Sequence, residues 1–245
     1  MTLDHLALLA TDAEAFSVAV ETGPADAPIA GCPGWRLPEL GAHLGGVHRW
    51  ARAAIITGAV PQLDPAADPP PSELGQLAVW LREGAERLLA TLHDLDPQQP
   101  TWHPFPVEPK VAGLWRRRQA QEASVHRWDA QRAVGQSPSI DAEFAADGID
   151  EYWTVMLPRL ITREHLVVPS TTFAAETTDT GQRWVVHGGS GRVEIAAPGV
   201  EPAACIRGDA QHVLLSLWGR PVPANAVSTS GDQAVADSWL ALGGA

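Results

Sequence analysis

The sequence predicts a two-part protein, an N-terminal helical bundle followed by a smaller α+β domain. Three observations carry this. Apolar residues recur at helical spacing from the start to about Leu160. After Arg163 the pattern switches to period two with β-branched residues. The connections are dense in proline and glycine, which punctuate rather than continue regular elements. The expected domains are residues 1–163 and 164–245.

Leu3, Leu6, Leu9, Ala13, Phe16 and Val20 form the first helical stripe, ended by Thr22-Gly23-Pro24. A second runs from Leu37 through Leu40, Leu44, Val47 and Ala51 to Thr57-Gly58, with Pro38 in its first turn, where a missing N–H is tolerated. A proline-dense loop from Val60 to Pro71 leads to a third helix, expected to be capped by Ser72 and carrying Leu74, Leu77, Leu81, Leu88 and Leu92. Asp94 to Pro109 has no period and reads as a long crossover, from which Trp102 and His103 could approach a site. A fourth helix runs from about Gly113 to Val134 and stops at Gly135, a residue suited to a left-handed C-terminal cap. A shorter helix follows from Asp141 to about Leu160. Four long helices with one extended crossover fit a bundle whose interior can hold a metal.

Beyond that, His165 to Val168, Thr171 to Glu176, Gln182 to His187 and Arg192 to Ala196 read as strands of a meander, and Ala203 to Arg207 as a further strand. Asp179-Thr180-Gly181 and Gly188-Gly189-Ser190-Gly191 supply the positive-φ residues that tight hairpins need. The latter is a poor phosphate loop, because no helix follows it. Ala210 to Trp218 and Asp232 to about Leu242 read as helices.

With 245 residues the chain can bury a large core. Its apolar runs fall far short of the roughly 20 residues a bilayer span needs, and the N-terminus shows no basic region followed by an apolar stretch. A cytoplasmic protein without membrane association is expected. A net charge of −12 opposes sequence-independent attraction to phosphate backbones, so nucleic-acid binding is not expected. Cys32 and Cys205 are too few for a disulfide framework and read as reduced, buried apolar residues.

The chemistry-bearing residues lie in two helical segments. Glu122 and His126 are four apart, so they stand about 40° apart around a helix axis and one turn along it, and can converge on one point. His43 is the best candidate for a third ligand. Three N/O ligands with an open position is the arrangement of a catalytic zinc. Asp129, three residues beyond His126, could take the proton of its other ring nitrogen. Glu39 suits a supporting or surface role, and His48, about 140° round the helix from His43, a structural one. Arg116, Arg117 and Arg118, with Arg117 and Arg118 foremost, are candidates for binding a carboxylated or sugar-bearing cofactor, though three consecutive residues point three ways on a helix and at most one or two can face a pocket. Arg220, after Leu217-Trp218-Gly219, is the candidate catalytic residue, its planar fork suited to a substrate carboxylate.

The run Cys32-Pro33-Gly34-Trp35 with Glu39-Leu40-Gly41-Ala42-His43-Leu44, then Arg117-Arg118-Gln119-Ala120-Gln121-Glu122-Ala123-Ser124-Val125-His126-Arg127-Trp128-Asp129, resembles the mycothiol-dependent maleylpyruvate isomerase family. Gly208-Asp209-Ala210 through Leu214-Leu215-Ser216-Leu217-Trp218-Gly219-Arg220 is similar to that family's second domain. The resemblance implies a DinB-like four-helix bundle carrying a divalent metal, usually zinc, joined to a domain resembling sterol carrier proteins. It implies that His43, Glu122 and His126 are the metal ligands. The family's named activity is cis-to-trans isomerisation of maleylpyruvate with mycothiol as thiol cosubstrate, while related bundles transfer thiols to electrophiles. Thiolate addition to the conjugated double bond, rotation and elimination would give the first outcome, and stopping after addition the second. The sequence does not separate these two, nor fix an oligomeric state. A small-ligand-binding protein with the bundle as scaffold is the alternative of another class.

Overall fold

A computed structural model describes residues 3–244. The first compact unit, residues 1–104 and 108–139, is built on four helices: α1 (His5–Thr22), α2 (Leu37–Thr57), α3 (Leu74–His93) and α4 (Ala112–Ala133). Their ends follow from local chemistry. Asp4 caps α1 by accepting from the backbone N–H groups of Leu6 and Ala7. Glu39 folds back onto the Arg36 N–H at 2.9 Å to close the start of α2, and Gly58 ends that helix at φ 63°. Ser72 does not cap α3: the Glu73 carboxylate accepts from Gln76 N at 2.9 Å, placing the cap one residue later. Past the end of α4, Gly135 has the left-handed φ of 80° expected of it.

α1 packs against α3 and α4, and α2 against α3 and α4, around Phe16, Val20, Leu37, Leu40, Leu44 and Leu77. Each side chain of this size contributes about 1.5–3 kcal/mol when fully buried. The crossover between α3 and α4 is fastened at its base by Thr101 N to Lys110 O (3.0 Å) and Ala112 N to Gln99 O (2.9 Å). It is therefore pinned into a loop-back although its residues carry no periodic signal.

Packing divides the chain elsewhere than at residue 163. The second unit comprises residues 105–107 and 140–245, so the helical stretch after residue 140 belongs to it. That stretch is α5 (Ala142–Glu151), one π turn (Tyr152–Met156) and α6 (Leu157–Glu164). Pro158 cannot donate to the Thr154 carbonyl and its ring crowds that group, so the turn widens just ahead of it. Helical spacing reports the element type but not which core the element joins.

A mixed sheet follows, with β1 (Thr172–Thr177), β2 (Arg183–Gly189), β3 (Arg192–Ile195), β4 (Ala204–Gly208) and β5 (Val227–Gly231) in the order β3-β2-β1-β4-β5. β1 and β4 are parallel and the other pairs antiparallel, so the sheet is not a simple meander. Ser190 and Gly191, at φ 52° and 72°, form the two-residue turn joining β2 to β3. His165 to Val168 is not a strand: His165 terminates α6 in the left-handed region, and the residues after it alternate in burial but pair with no strand of the sheet. β5 was not expected, because Val-Ser-Thr-Ser-Gly carries almost no apolar signal and four of its five residues are exposed. α7 (Ala210–Leu217) and α8 (Gln233–Leu240) complete the unit. Its core centres on Phe173 stacked with Trp239, with Trp153 edge-on to both. Among the described residues no helix is long and apolar enough to cross a membrane.

Candidate metal centre

α2 and α4 pack together, and this contact makes the site. α4 delivers Glu122 and His126 one turn apart; α2 delivers His43 opposite them. His43 Nε2 lies 3.3 Å and His126 Nε2 3.4 Å from the same atom, Glu122 Oε1. The donor atoms of the three residues all fall within 4.8 Å of one another. The two imidazoles meet edge to face at 5.0 Å, and the Trp35 ring covers His43 from the other side at 5.0 Å. His126 and Glu122 are the more enclosed, whereas the His43 side chain is 34% exposed and marks the open side.

The donor set fits a zinc-sized cation. Two bonds of about 2.05 Å opening at the tetrahedral angle set their donor atoms about 3.3 Å apart, the spacing found on both sides of Glu122 Oε1. Direct hydrogen bonds to a carboxylate would be shorter, at about 2.7–2.9 Å.

The surrounding groups orient the three donors. The buried Asp129 carboxylate accepts from His126 Nδ1 at 3.1 Å, which places the ring proton there and leaves the Nε2 lone pair facing Glu122. Arg118 Nη2 donates to Glu122 Oε2 at 2.7 Å, leaving Oε1 turned toward the histidines. Burial alone would push the Glu122 carboxyl up, but the hydrogen bonds of His126 and His43 and the Arg118 charge hold it well below the usual range. Burial pulls His126 down, yet the carboxylates of Asp129 and Glu122 outweigh it and raise its pKa. An anionic carboxylate is the charge state a divalent cation requires, and a cation would displace the second proton that the raised pKa favours on the His126 ring.

The expected ligand triad is thus brought together. Glu39 is spent on the start of α2. Arg118, expected at a cofactor, is buried against Glu122; Arg117 beside it is half-buried on α4. Trp102 packs edge-on to Trp50, and its carbonyl accepts from the Trp115 indole at 2.9 Å. Arg220 lies in the second unit after α7, its Nη1 donating to the Trp218 carbonyl at 2.9 Å.

Two features were not anticipated. Cys32 brings its sulfur within 4.8 Å of donor atoms of His126 and Asp129, a second possible grouping. It is the weaker one, because Asp129 is already committed to the His126 ring. His48, turned away from the ligand set, is nevertheless buried close enough to feel the charges of Glu122, His126 and His43, and burial pushes its pKa down to about 4. Helix angles predicted its direction but not the depth of cover over it.

Residues 6–131, just over half the chain, match the mycothiol maleylpyruvate isomerase N-terminal domain, and residues 143–238 match the C-terminal domain of the same family. The second match begins close to where packing starts the second unit. Among solved structures, a histidine-to-alanine mutant of the mycothiol-dependent maleylpyruvate isomerase is similar at a TM-score of 0.62, with 13% identity over 93% of this chain and 92% of that one. A second crystal structure of the mycothiol-dependent maleylpyruvate isomerase gives 0.58 and 14% identity over the same shares. At these identities the likeness is one of fold. No curated protein matches the chain.

Proposed function

Because the chain belongs to the mycothiol maleylpyruvate isomerase family, we propose that it is a cytoplasmic metalloenzyme acting with mycothiol on a small electrophile such as maleylpyruvate, by isomerisation or thiol transfer. The observation that carries the proposal is the convergence of His43 Nε2, Glu122 Oε1 and His126 Nε2 at the spacing of a tetrahedral cation's ligands. These three residues would hold the metal, with zinc the first candidate.

Bound there, the cation would supply the positive charge that keeps a thiol in its reactive thiolate form near neutral pH. The chain's own residues do the rest. Asp129 holds a proton of His126 on Nδ1, so that Nε2 is the nitrogen turned to the cation. Arg118 ties down one oxygen of Glu122 and limits that carboxylate to a single inward donor, so that it occupies one position rather than two. Trp35 backs the more exposed His43 and limits its swing. Arg220 is proposed as the fork for a substrate carboxylate.

The test is elemental analysis of protein purified without chelators, followed by incubation of the zinc-loaded enzyme with mycothiol and maleylpyruvate, recording trans isomer and thiol adduct separately. One zinc per chain, lost in His126→Ala, together with either product, supports the proposal. Metal-free wild-type protein that cannot be loaded, or loaded protein forming neither product, overturns it.

A further inference from the structure

Beside the metal centre, in the same unit, lies a cavity of about 460 Å³ to which none of His43, Glu122 and His126 contributes. Its floor is α2 and α3 and its roof is the proline-dense loop that joins them. The size falls in the usual range for small-molecule sites, about 300–1,000 Å³. We propose that this cavity binds a small carboxylate with an apolar body, the carboxylate on Arg52 and Arg87 and the body against Leu63 and Pro65.

Charge and pinning support this. Three guanidiniums, Arg49, Arg52 and Arg87, line the cavity against two carboxylates, Asp64 and Asp68. Asp68 is already used: it accepts from Arg49 Nε at 2.5 Å and from the Trp80 indole at 2.7 Å, and so fastens the roof to the floor. Arg49 is used with it, lying over the Trp80 ring at 3.6 Å and donating to the Gly45 and Trp80 carbonyls. Asp64 accepts from the Ala66 N–H in its own turn. Among the described residues Arg87 pairs with Glu83 on its own helix, at 3.3 Å between two largely exposed side chains, a weak and easily exchanged contact.

Arg52 is different. Its Nε donates to Thr91 Oγ1 at 3.2 Å, and that hydroxyl is itself anchored on the Arg87 carbonyl at 2.9 Å. The guanidinium is therefore held at its base, while no carboxylate among the described residues pairs with its terminal nitrogens. In a chain carrying a net charge of −12, a half-buried, oriented fork that no carboxylate among the described residues pairs with is a ready partner for a carboxylate, which it can take through two parallel hydrogen bonds. The apolar surfaces of the α2 wall (Ala42, Gly46 and Ala53) and of the loop prolines exclude a highly hydrated anion and favour one that brings a ring or short chain.

Benzoate is a suitable probe and benzamide its uncharged counterpart, both titrated calorimetrically into the full zinc-loaded chain. The expected result is saturable benzoate binding, no measurable benzamide binding, and the same benzoate affinity in His126→Ala, which separates this cavity from the metal centre. Arg52→Gln should weaken benzoate about tenfold or more, and Arg87→Gln, at a surface position safe for folding, about two- to fivefold. No saturation below about 10 mM, benzamide binding as well as benzoate, loss of binding in His126→Ala, or full affinity in a folded Arg52→Gln would each overturn the proposal. Should Arg52→Gln not fold, unaltered affinity in Arg87→Gln overturns it.

Discussion

Replacing His48 by leucine should remove a defined part of the protein's acid sensitivity. His48 is 1% exposed on α2, neither of its ring nitrogens has a hydrogen-bond partner among the described residues, and burial pushes its pKa from 6.5 down to about 4. The folded protein therefore resists protonating it, whereas the unfolded chain takes the proton readily. Between pH 6.5 and 4 the unfolded state binds more protons, so stability falls as pH falls through that window. For one group with these two pKa values the linkage relation gives about 0.2 kcal/mol at pH 7 and about 2 kcal/mol at pH 5. The loss levels off near 3 kcal/mol below pH 4. Urea unfolding of chelator-treated wild-type and His48→Leu protein at pH 7 and pH 5 isolates this amount, because every other titrating group is common to both chains. The leucine variant should lose about 2 kcal/mol less than wild type between the two pH values. Equal losses would mean that His48 is protonated or solvated in the folded state, and the reasoning from burial would fail.

Asp129→Ala should weaken zinc about 10- to 100-fold in competition with a chelator, because His126 loses the acceptor that fixes its tautomer; wild-type affinity would refute that role. Gly45→Ala should lower the melting temperature although alanine is the better helix former by about 1 kcal/mol. The new Cβ would stand 2.0 Å from Trp80 Cζ3, and Trp80 is held by Arg49 and Asp68, so an unchanged or higher melting point in a calorimetric scan would refute the packing argument. Arg220→Lys should raise KM for a carboxylated substrate more than it lowers kcat, since lysine keeps the charge but not the fork; steady-state kinetics showing neither change would refute the role proposed for Arg220.

Periodicity identified the helices of the bundle and the turn at Ser190-Gly191 because those signals are local: spacing of 3.6 for a helix, two consecutive positive-φ residues for the hairpin. It failed where the deciding contact was distant. The stretch after residue 140 is helical in sequence and in structure, yet it packs with α7 and the sheet in the second unit, and nothing in its spacing states a destination. β5 forms because β4 offers it an edge, pairing Ala204 with Gly231 through Gly208 with Val227, and not because its own residues ask for burial. Glu39 looked like a possible partner for His43 at four residues' distance, but the backbone N–H of Arg36 claims it first, a competition resolved only by the conformation of the cap.

The candidate site was legible for a physical reason that applies to only one of its two helices. Arg118, Glu122, His126 and Asp129 follow at intervals of four, four and three, so a single face of α4 carries two donors and the two groups that orient them. That face is also buried, as are Gln119, Gln121, Ser124 and Arg127 around it, and a helix that buries so many polar groups must satisfy them internally or with a bound cation. Arg127 forms an ion pair with Asp12 of α1 at 2.8 Å and donates to Gln131 and the Ser139 carbonyl, whereas the Glu122 and His126 donors face His43 at spacings longer than good hydrogen bonds. One side of the buried polar surface of α4 is therefore tied to α1 by an ion pair, while the other presents the donors proposed to hold a cation. α2 has only to contribute a single imidazole, which is why one histidine within an otherwise ordinary amphipathic stripe carried so little signal of its own.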